Sequence, residues 1–510
     1  MPSNYKLIVR NTFFLYFRLL VVALLGLITS RAVLLALGVR GFGLYTVVGG
    51  LVMMLSFLQN TMASTTQRYL NYEMGGGDEI SQKKIFVSCL YIHNRIALVL
   101  ILLAETIGLW FLNTWVNIHH DEIQSANIIY QLSILTFVFG IISTPYRAAI
   151  TARERMDLIA LINIGEAALK CLIAFLIFYS PIERIVLYSG CLLLLNIIIF
   201  LTYKILCHHL FSECRTKGFK SDRKSVKSIL SFSAWIVVGS VATLAHVHGI
   251  GLVVNMFFGL AVNAALGIAT QVLGLIRNFI LSFMSALNPQ ITKSYAEHDY
   301  DVTRNLIMHG CKIGLYLVTL IALPIFIETP YLLNLWLTEV PPYTVIFVRL
   351  YIVAILIWSI SPPLTTAQLA QGNIRRFQFV LTVISLLHLP LTMGAFKLGC
   401  RPAVALYLYI LITACMQAYR IWYVCNTMRM SARMYLKDII LKGGMMIILA
   451  LSAPLVLHNF MNSSLITVTC VMVSSTVCLT LTFYYVLLQK TERVYVNSII
   501  KNRILKSKFV

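Results

Sequence analysis

Charged side chains interrupt several long apolar stretches of this sequence: Arg18, Arg31, Arg95, Glu105, Glu166, Lys170, Arg277 and Arg349. A charge at mid-membrane costs about 2.5–3.5 kcal/mol on insertion scales, so each is a candidate for function. Cations outnumber anions in the set. A guanidinium forks two N–H donors onto phosphate oxygens, so the set suits a phosphate-bearing ligand and suits a lipophilic cation badly. Arg18 either lines a cavity or snorkels toward the inner headgroups, and Arg31 has the same choice toward the outer ones. Arg95, beside His93 and Asn94, and Arg277, with Gln271 and Asn278, are read as cavity residues. Arg349, near an outer helix end, reads as a snorkelling residue. Glu166 and Lys170 stand four apart in the favoured acid-first order, which makes an insertion-easing ion pair the simpler reading and a coupling site the sharper one. Glu105 is either a proton or cation coupling site or the partner of an Arg from another span. Asn60, Asn255, Asn263 and Gln271 are candidate sugar contacts; interhelical hydrogen bonding is the ordinary role of such groups.

The elements that must position these groups are membrane helices. Hydrophobic types make up 59% of the 510 residues and charged types 12%, about half the charged share of a soluble domain. Runs of about 20 apolar residues repeat almost throughout and give about fourteen spans. They begin with Asn11–Leu37 and Leu44–Gln67 and end with Ile440–Leu457 and Leu465–Leu488. In hydrocarbon such spans are helices. The expected fold is therefore all-α and polytopic, with two six-helix lobes and two C-terminal helices around a central cavity. The divisions are 1–205, a basic linker 206–228, 229–425, the extra helices 426–490 and a basic tail 491–510. The first span is too long for a cleavable signal and no small-residue cleavage site follows it.

Net charge is +22. With the N-terminus inside, only Arg40, Arg184, Lys397 and Arg401 of the 41 Lys and Arg fall on the outer side. That is the positive-inside pattern. It places both termini in the cytoplasm and accounts for the charge without nucleic acid. The basic run Arg215–Lys227 is suited to anionic headgroups. Cys400 alone of the 11 cysteines lies near the outer face, so no structural disulfide is expected.

A faint internal repeat runs through the chain. Met62-Ala-Ser-Thr-Thr-Gln67 to Glu73 corresponds to Met284-Ser-Ala-Leu-Asn-Pro-Gln290 to Glu297, and upstream Gly38 corresponds to Gly259. Repeats of this kind frame substrate paths in secondary transporters. Pro324, Pro362-Pro363 and Pro390 interrupt their spans and mark bending points.

Local motifs carry a family resemblance. Asn11-Thr-Phe-Phe-Leu-Tyr-Phe-Arg18, Thr29-Ser-Arg31, the segment from Gly38 to Tyr45, Met62–Tyr69, Ser143-Thr-Pro-Tyr146 through Met156 and Asn288-Pro-Gln290-Ile resemble those of bacterial polysaccharide-synthesis flippases. These are the O-antigen and lipid-linked oligosaccharide flippases of the multidrug/oligosaccharidyl-lipid/polysaccharide exporter superfamily. The resemblance implies alternating access between two lobes. It implies as substrate an oligosaccharide on undecaprenyl pyrophosphate, carried to the periplasmic leaflet of the bacterial inner membrane. The polysaccharide polymerase and chain-length machinery would be partners, besides membrane lipid.

No cofactor or metal is expected. There is no Walker A, GxSxG, HExxH or HxxxxD pattern, so the chain does not read as an enzyme. His119-His120-Asp121-Glu122 reads as a solvated outer turn rather than a metal site. The rivals to a flippase are a cation-coupled drug or metabolite antiporter of the same superfamily, a membrane glycosyltransferase, polymerase or acyltransferase, and a scaffold.

Overall fold

The computed structural model describes residues 2–53, 56–76, 78–114, 122–180, 183–216, 218–337, 340–461, 464–490, 492–494 and 497. Among them every regular element is helical, because a chain in hydrocarbon must bond its own amides. Twelve helices are long and apolar enough to cross a bilayer, and the pair Thr344–Trp358 and Ser361–Gln371, bent by 42°, makes a thirteenth if it is one span. Fourteen is not reached among the described residues. The expected span Leu44–Gln67 runs over residues 54–55, which lie outside them, as do His119, His120 and Asp121. The bend falls just before Pro362-Pro363, where proline removes donors from the helix ladder.

The chain divides into two compact units. The first comprises residues 1–240, 285–299 and 369–375; the second comprises 241–284, 300–368 and 376–510. In the first unit, α1 (Pro2–Met53) packs on α5 (Met156–Leu176). The helices α2 (Ser56–Gly76), α3 (Glu79–Leu103) and α6 (Arg184–Leu210) pack on α4 (Ile123–Ala152). One core is built on Tyr146, whose ring meets Phe86 edge-on at 5.5 Å and Phe200 at 6.1 Å. Apolar residues such as Leu161 stay exposed, as lipid-facing surface requires.

α7 (Arg223–Leu244) ends in a π turn, Ala245–Gly249, and leads into α8 (Ile250–Ala296). Two glycines in matching repeat positions bend their helices in the same way. Gly38 in α1 has φ 70, ψ 171 and Gly259 in α8 has φ 75, ψ −171. That region is open essentially to glycine alone, so the sequence repeat is carried by the backbone.

Two of the quoted motifs also meet within the first unit. Glu154 (5% exposed) accepts from Lys293 Nζ at 2.7 Å and from the Gln290 amide. Beside it Arg153 forks onto the fully buried Glu213 at 2.8 and 2.7 Å. Glycine lets α2 approach the same segment: a Cβ at Gly75 would stand 2.6 Å from the Lys293 carbonyl oxygen.

In the second unit α9 (Tyr300–Ile327) packs against α11 (Thr344–Trp358), α16 (Lys442–Phe460) and α17 (Leu465–Thr482), α10 being Thr329–Trp336. α12 (Ser361–Gln371), α13 (Arg375–Leu386), α14 (His388–Lys397) and α15 (Val404–Thr427) complete the set used below.

Candidate functional site

The first unit contains two adjoining cavities that share Gln59 and Arg147 in their linings. The larger, about 440 Å³, is lined by Arg147, Glu166, Lys170, Asn196, hydroxyl groups of Ser133, Thr136, Ser143 and Ser189, and the rings of Tyr45, Tyr188 and Tyr203. The smaller, about 250 Å³, is lined by Arg18, Asn60, Gln67, Thr144, Thr151 and Ser285 among others.

Local sequence explains the lining. Gly140 leaves room for Gln59, whose Nε2 would stand 3.2 Å from a Cβ there. Pro145 removes one donor from α4, while the Ser143 and Thr144 hydroxyls both donate to the Gly140 carbonyl, at 2.8 and 3.0 Å. α4 continues past this proline to Ala152, which carries Arg147 along the chamber wall. Glu166 and Lys170, one turn apart on α5, form an ion pair of 2.6 Å. The linings thus hold the cations Arg18, Arg147 and Lys170, and among the described residues Glu166 is their one carboxylate. Arg18 and Arg147 are salt-bridged to no carboxylate among the described residues, and the buried Gln67 Nε2 has no hydrogen-bond partner there.

The second unit holds a pocket of about 90 Å³ lined by Arg277, Arg420, His246, Trp358, Ser385 and Tyr409 among others. The Arg277 guanidinium lies over the Trp358 ring at 4.7 Å, a cation–π arrangement. Arg420 Nη1 donates to Ser361 Oγ at 3.3 Å, and that hydroxyl donates to Gln417. His246 stacks on Tyr409 at 4.4 Å. The fully buried His388 sits with Nδ1 3.3 Å from the His246 carbonyl and Nε2 3.0 Å from the Ala405 carbonyl. This pocket is smaller than either cavity of the first unit.

The sequence-predicted residues fare unequally. Arg18, Asn60, Glu166 and Lys170 are brought into the first unit's chamber, and Arg277 into the second unit's pocket. Arg31 and Arg95 are exposed and belong to none of these linings. The reason for Arg95 is periodicity. The buried stripe of α3 runs through Phe86, Cys89, His93, Ala97 and Leu100, so Arg95 falls on the opposite face and lies over Tyr91 at 5.2 Å. Asn255 and Gln271 lie outside these linings as well, and Asn263 packs beside Gly251, where a Cβ would meet its Oδ1 at 3.2 Å. Glu105 accepts a hydrogen bond from the Gln131 amide at 2.9 Å rather than pairing with an arginine. Arg349 donates to the Phe326 carbonyl at 3.1 Å at the end of α9. Sequence reasoning missed Arg147 and Arg420 as lining cations. Arg147 was visible only as a member of the Ser143–Met156 motif.

The profile described as "Polysaccharide biosynthesis protein" matches residues 8–295, and that described as "MatE" matches residues 250–393. No curated protein matches the sequence. Solved structures of similar fold include a MATE protein in complex with MaD3S, 15% identical, with a TM-score of 0.69 over 85% of this chain and 97% of that one. A MOP superfamily transporter from Pyrococcus furiosus is 13% identical, with a TM-score of 0.71 over 84% and 96%. An outward-facing multidrug resistance MATE family transporter of the MOP superfamily is 14% identical, with a TM-score of 0.70 over 85% and 96%. The profile covering more than half of the sequence places this multi-pass membrane chain, which has the fold of MATE transporters, in the polysaccharide biosynthesis protein family.

Proposed function

We propose that the chain is a flippase that carries an oligosaccharide linked to undecaprenyl pyrophosphate from the cytoplasmic to the periplasmic leaflet of the inner membrane. The observation that carries this reading is the pair of adjoining cavities whose linings hold Arg18, Arg147 and Lys170, with Glu166 as the one carboxylate among the described lining residues. A pyrophosphate diester brings about two negative charges, which matches that excess of cations. Guanidinium groups in a poorly solvated setting hold phosphate oxygens through charge-assisted bonds. Next to the cations stand Tyr45, Tyr188, Asn196 and a set of hydroxyls, groups suited to sugar faces and sugar hydroxyls. The polyprenyl tail stays in lipid. Movement between leaflets follows the alternating access of two-lobed transporters, and the product passes to the polymerase and chain-length machinery.

A drug or metabolite antiporter is the second reading, favoured by the MatE profile over residues 250–393. Fold does not decide between them, because function resides in the site. One neighbour is itself described by a binding pocket of reverse polarity that suggests a different function. An antiporter for lipophilic cations needs an uncompensated acid in its chamber, whereas Glu166 here is held by Lys170.

The test is complementation of a strain lacking its own exporter. The chain should restore surface polysaccharide and leave resistance to lipophilic cations unchanged. Arg147→Glu and Arg18→Glu should abolish restoration at normal membrane abundance. Resistance to lipophilic cations without polysaccharide would establish the antiporter instead.

A further inference from the structure

The internal repeat extends to the ends of two further helices. Ser143, Pro145, Ala149 and Ala152 of α4 recur with the same spacing as Ser361, Pro363, Ala367 and Ala370 of α12. Two residues on, each segment reaches a residue of positive φ, Glu154 at 59° and Gly372 at 89°. Both belong to the first unit, and each receives the end of a helix from the other repeat. Arg68 of α2 donates to the carbonyls of Leu369 and Ala370, each at 2.9 Å, and a Cβ at Gly372 would stand 2.7 Å from its Nη2. Gln290 and Lys293 of α8 donate to the Glu154 carboxylate, the lysine at 2.7 Å. Met62–Glu73 and Met284–Glu297 are themselves repeat counterparts, so one docking arrangement occurs twice.

The two versions differ in chemistry. Glycine takes a positive φ freely, whereas a glutamate rarely does. Glu154 also carries a buried carboxylate. The cations on either side are engaged elsewhere, Arg153 with Glu213 and Arg155 with Asp157, so Lys293 supplies the counter-charge. Strained backbone of this kind persists only where its surroundings hold it, and it collects at switch points. Its place in the fold says what is switched. Thr151 and Met156, which flank Glu154, and Ser285, about two turns before Lys293, all line the smaller cavity. Leu15, Met156 and Ala286 pack together beside them. The bonds to Glu154 thus fasten two walls of that cavity at their ends, on the side that the positive-inside pattern assigns to the cytoplasm. We infer that Glu154, with Lys293 and Gln290, is a releasable clasp that closes the inner end of the smaller cavity.

The clasp deepens the flippase reading and rests on it for the direction of transport alone. Its test needs no substrate. Ala63 of α2 lines the smaller cavity, and Ala63→Cys provides a thiol there in the full chain. Inside-out membrane vesicles are treated with a membrane-impermeant maleimide, and modification is read by mass spectrometry on the peptide carrying residue 63. The thiol should react slowly while the clasp is intact. Lys293→Glu should speed the reaction about tenfold, the size of effect that losing a charge-assisted bond has. Lys293→Gln should speed it less, and keeps the comparison where the reversal fails to reach the membrane. Exchanging the charges, Glu154→Lys with Lys293→Glu, should restore the slow reaction, which general damage to the fold would not allow. Fast reaction with the clasp intact, a rate unchanged in both Lys293 variants, or a raised rate that the exchange leaves raised overturns the clasp. Labelling as expected in a chain that moves no sugar lipid in proteoliposomes overturns the flippase reading and leaves the clasp standing.

Discussion

At the scale of single residues, charge placement decides the account. Arg18 and Arg147 line the chamber of the first unit, whereas Arg95 lies over Tyr91 on the exposed face of α3. Arg95→Glu is therefore expected to leave export per folded protein in the membrane within about twofold of wild type, because Arg95 lines none of the described cavities. Arg147→Glu should lower it at least tenfold at equal abundance, measured as surface polysaccharide in the complemented strain. The Glu166–Lys170 pair was legible in the sequence because helical spacing alone brings positions four apart together. Arg147 was not. It stands at the inner end of its apolar run, where a cation reads as part of the positive-inside pattern, yet α4 runs on to Ala152 and the arginine lines both cavities. Arg420 was missed because it stands near the inner end of its apolar run, where a cation reads as part of the positive-inside pattern, although α15 extends to Thr427.

At the scale of elements, two features make distinct expectations. After α3 the π turn Ala104–Gly108 leaves the Ala104 carbonyl to accept from the Tyr130 hydroxyl at 3.0 Å. A Cβ at Gly108 would stand 1.9 Å from that hydroxyl oxygen. Gly108→Ala should cost about 1–3 kcal/mol through overpacking. Thermal unfolding in detergent should show Gly108→Ala combined with Tyr130→Phe less destabilised than the sum of the two changes.

The second feature ties the segment after α17 to α9. Glu492 accepts from Lys312 Nζ and His309 Nε2, each at 2.8 Å, and from the backbone N–H of Gln489 at 2.6 Å. Burial works against its ionisation, but these bonds prevail and draw the carboxyl from its ordinary 4.5 down to about 2. A lowered carboxyl pKa gives stabilisation that is fully present above the ordinary value and is lost as pH falls through the lowered one. Proteolytic protection of the segment should thus hold from pH 8 to pH 5. Glu492→Gln should weaken it equally at every pH in that range.

At the scale of the whole molecule, the helical architecture was legible from hydropathy because each span must be apolar over a fixed thickness. The number of crossings was less so. A polar stretch such as Ser56–Gly76, carrying Asn60, Gln67 and Arg68, dilutes the apolar signal where the chamber is built. The repeat was legible as weak similarity, and its physical content is the pair of positive-φ bends at Gly38 and Gly259. Replacing either by alanine should cost about 1–3 kcal/mol and lower export in proportion to folded protein in the membrane. Arg68 could not be assigned from sequence. Its guanidinium donates to the carbonyls of Leu369 and Ala370, each at 2.9 Å, closing the end of α12 from a position about three hundred residues earlier in the chain. Nothing in local spacing announces such a contact.

The central claim is that a cation-lined chamber moves a pyrophosphate-linked sugar lipid between leaflets. It is tested most directly by reconstituting the chain in proteoliposomes with a fluorescent polyprenyl-pyrophosphate oligosaccharide and following its passage between leaflets by a membrane-impermeant quencher. The wild-type chain should accelerate passage well above protein-free vesicles and Arg147→Glu should return it to that baseline. Equal rates for the two proteins, or none above baseline for the wild type, would contradict the account.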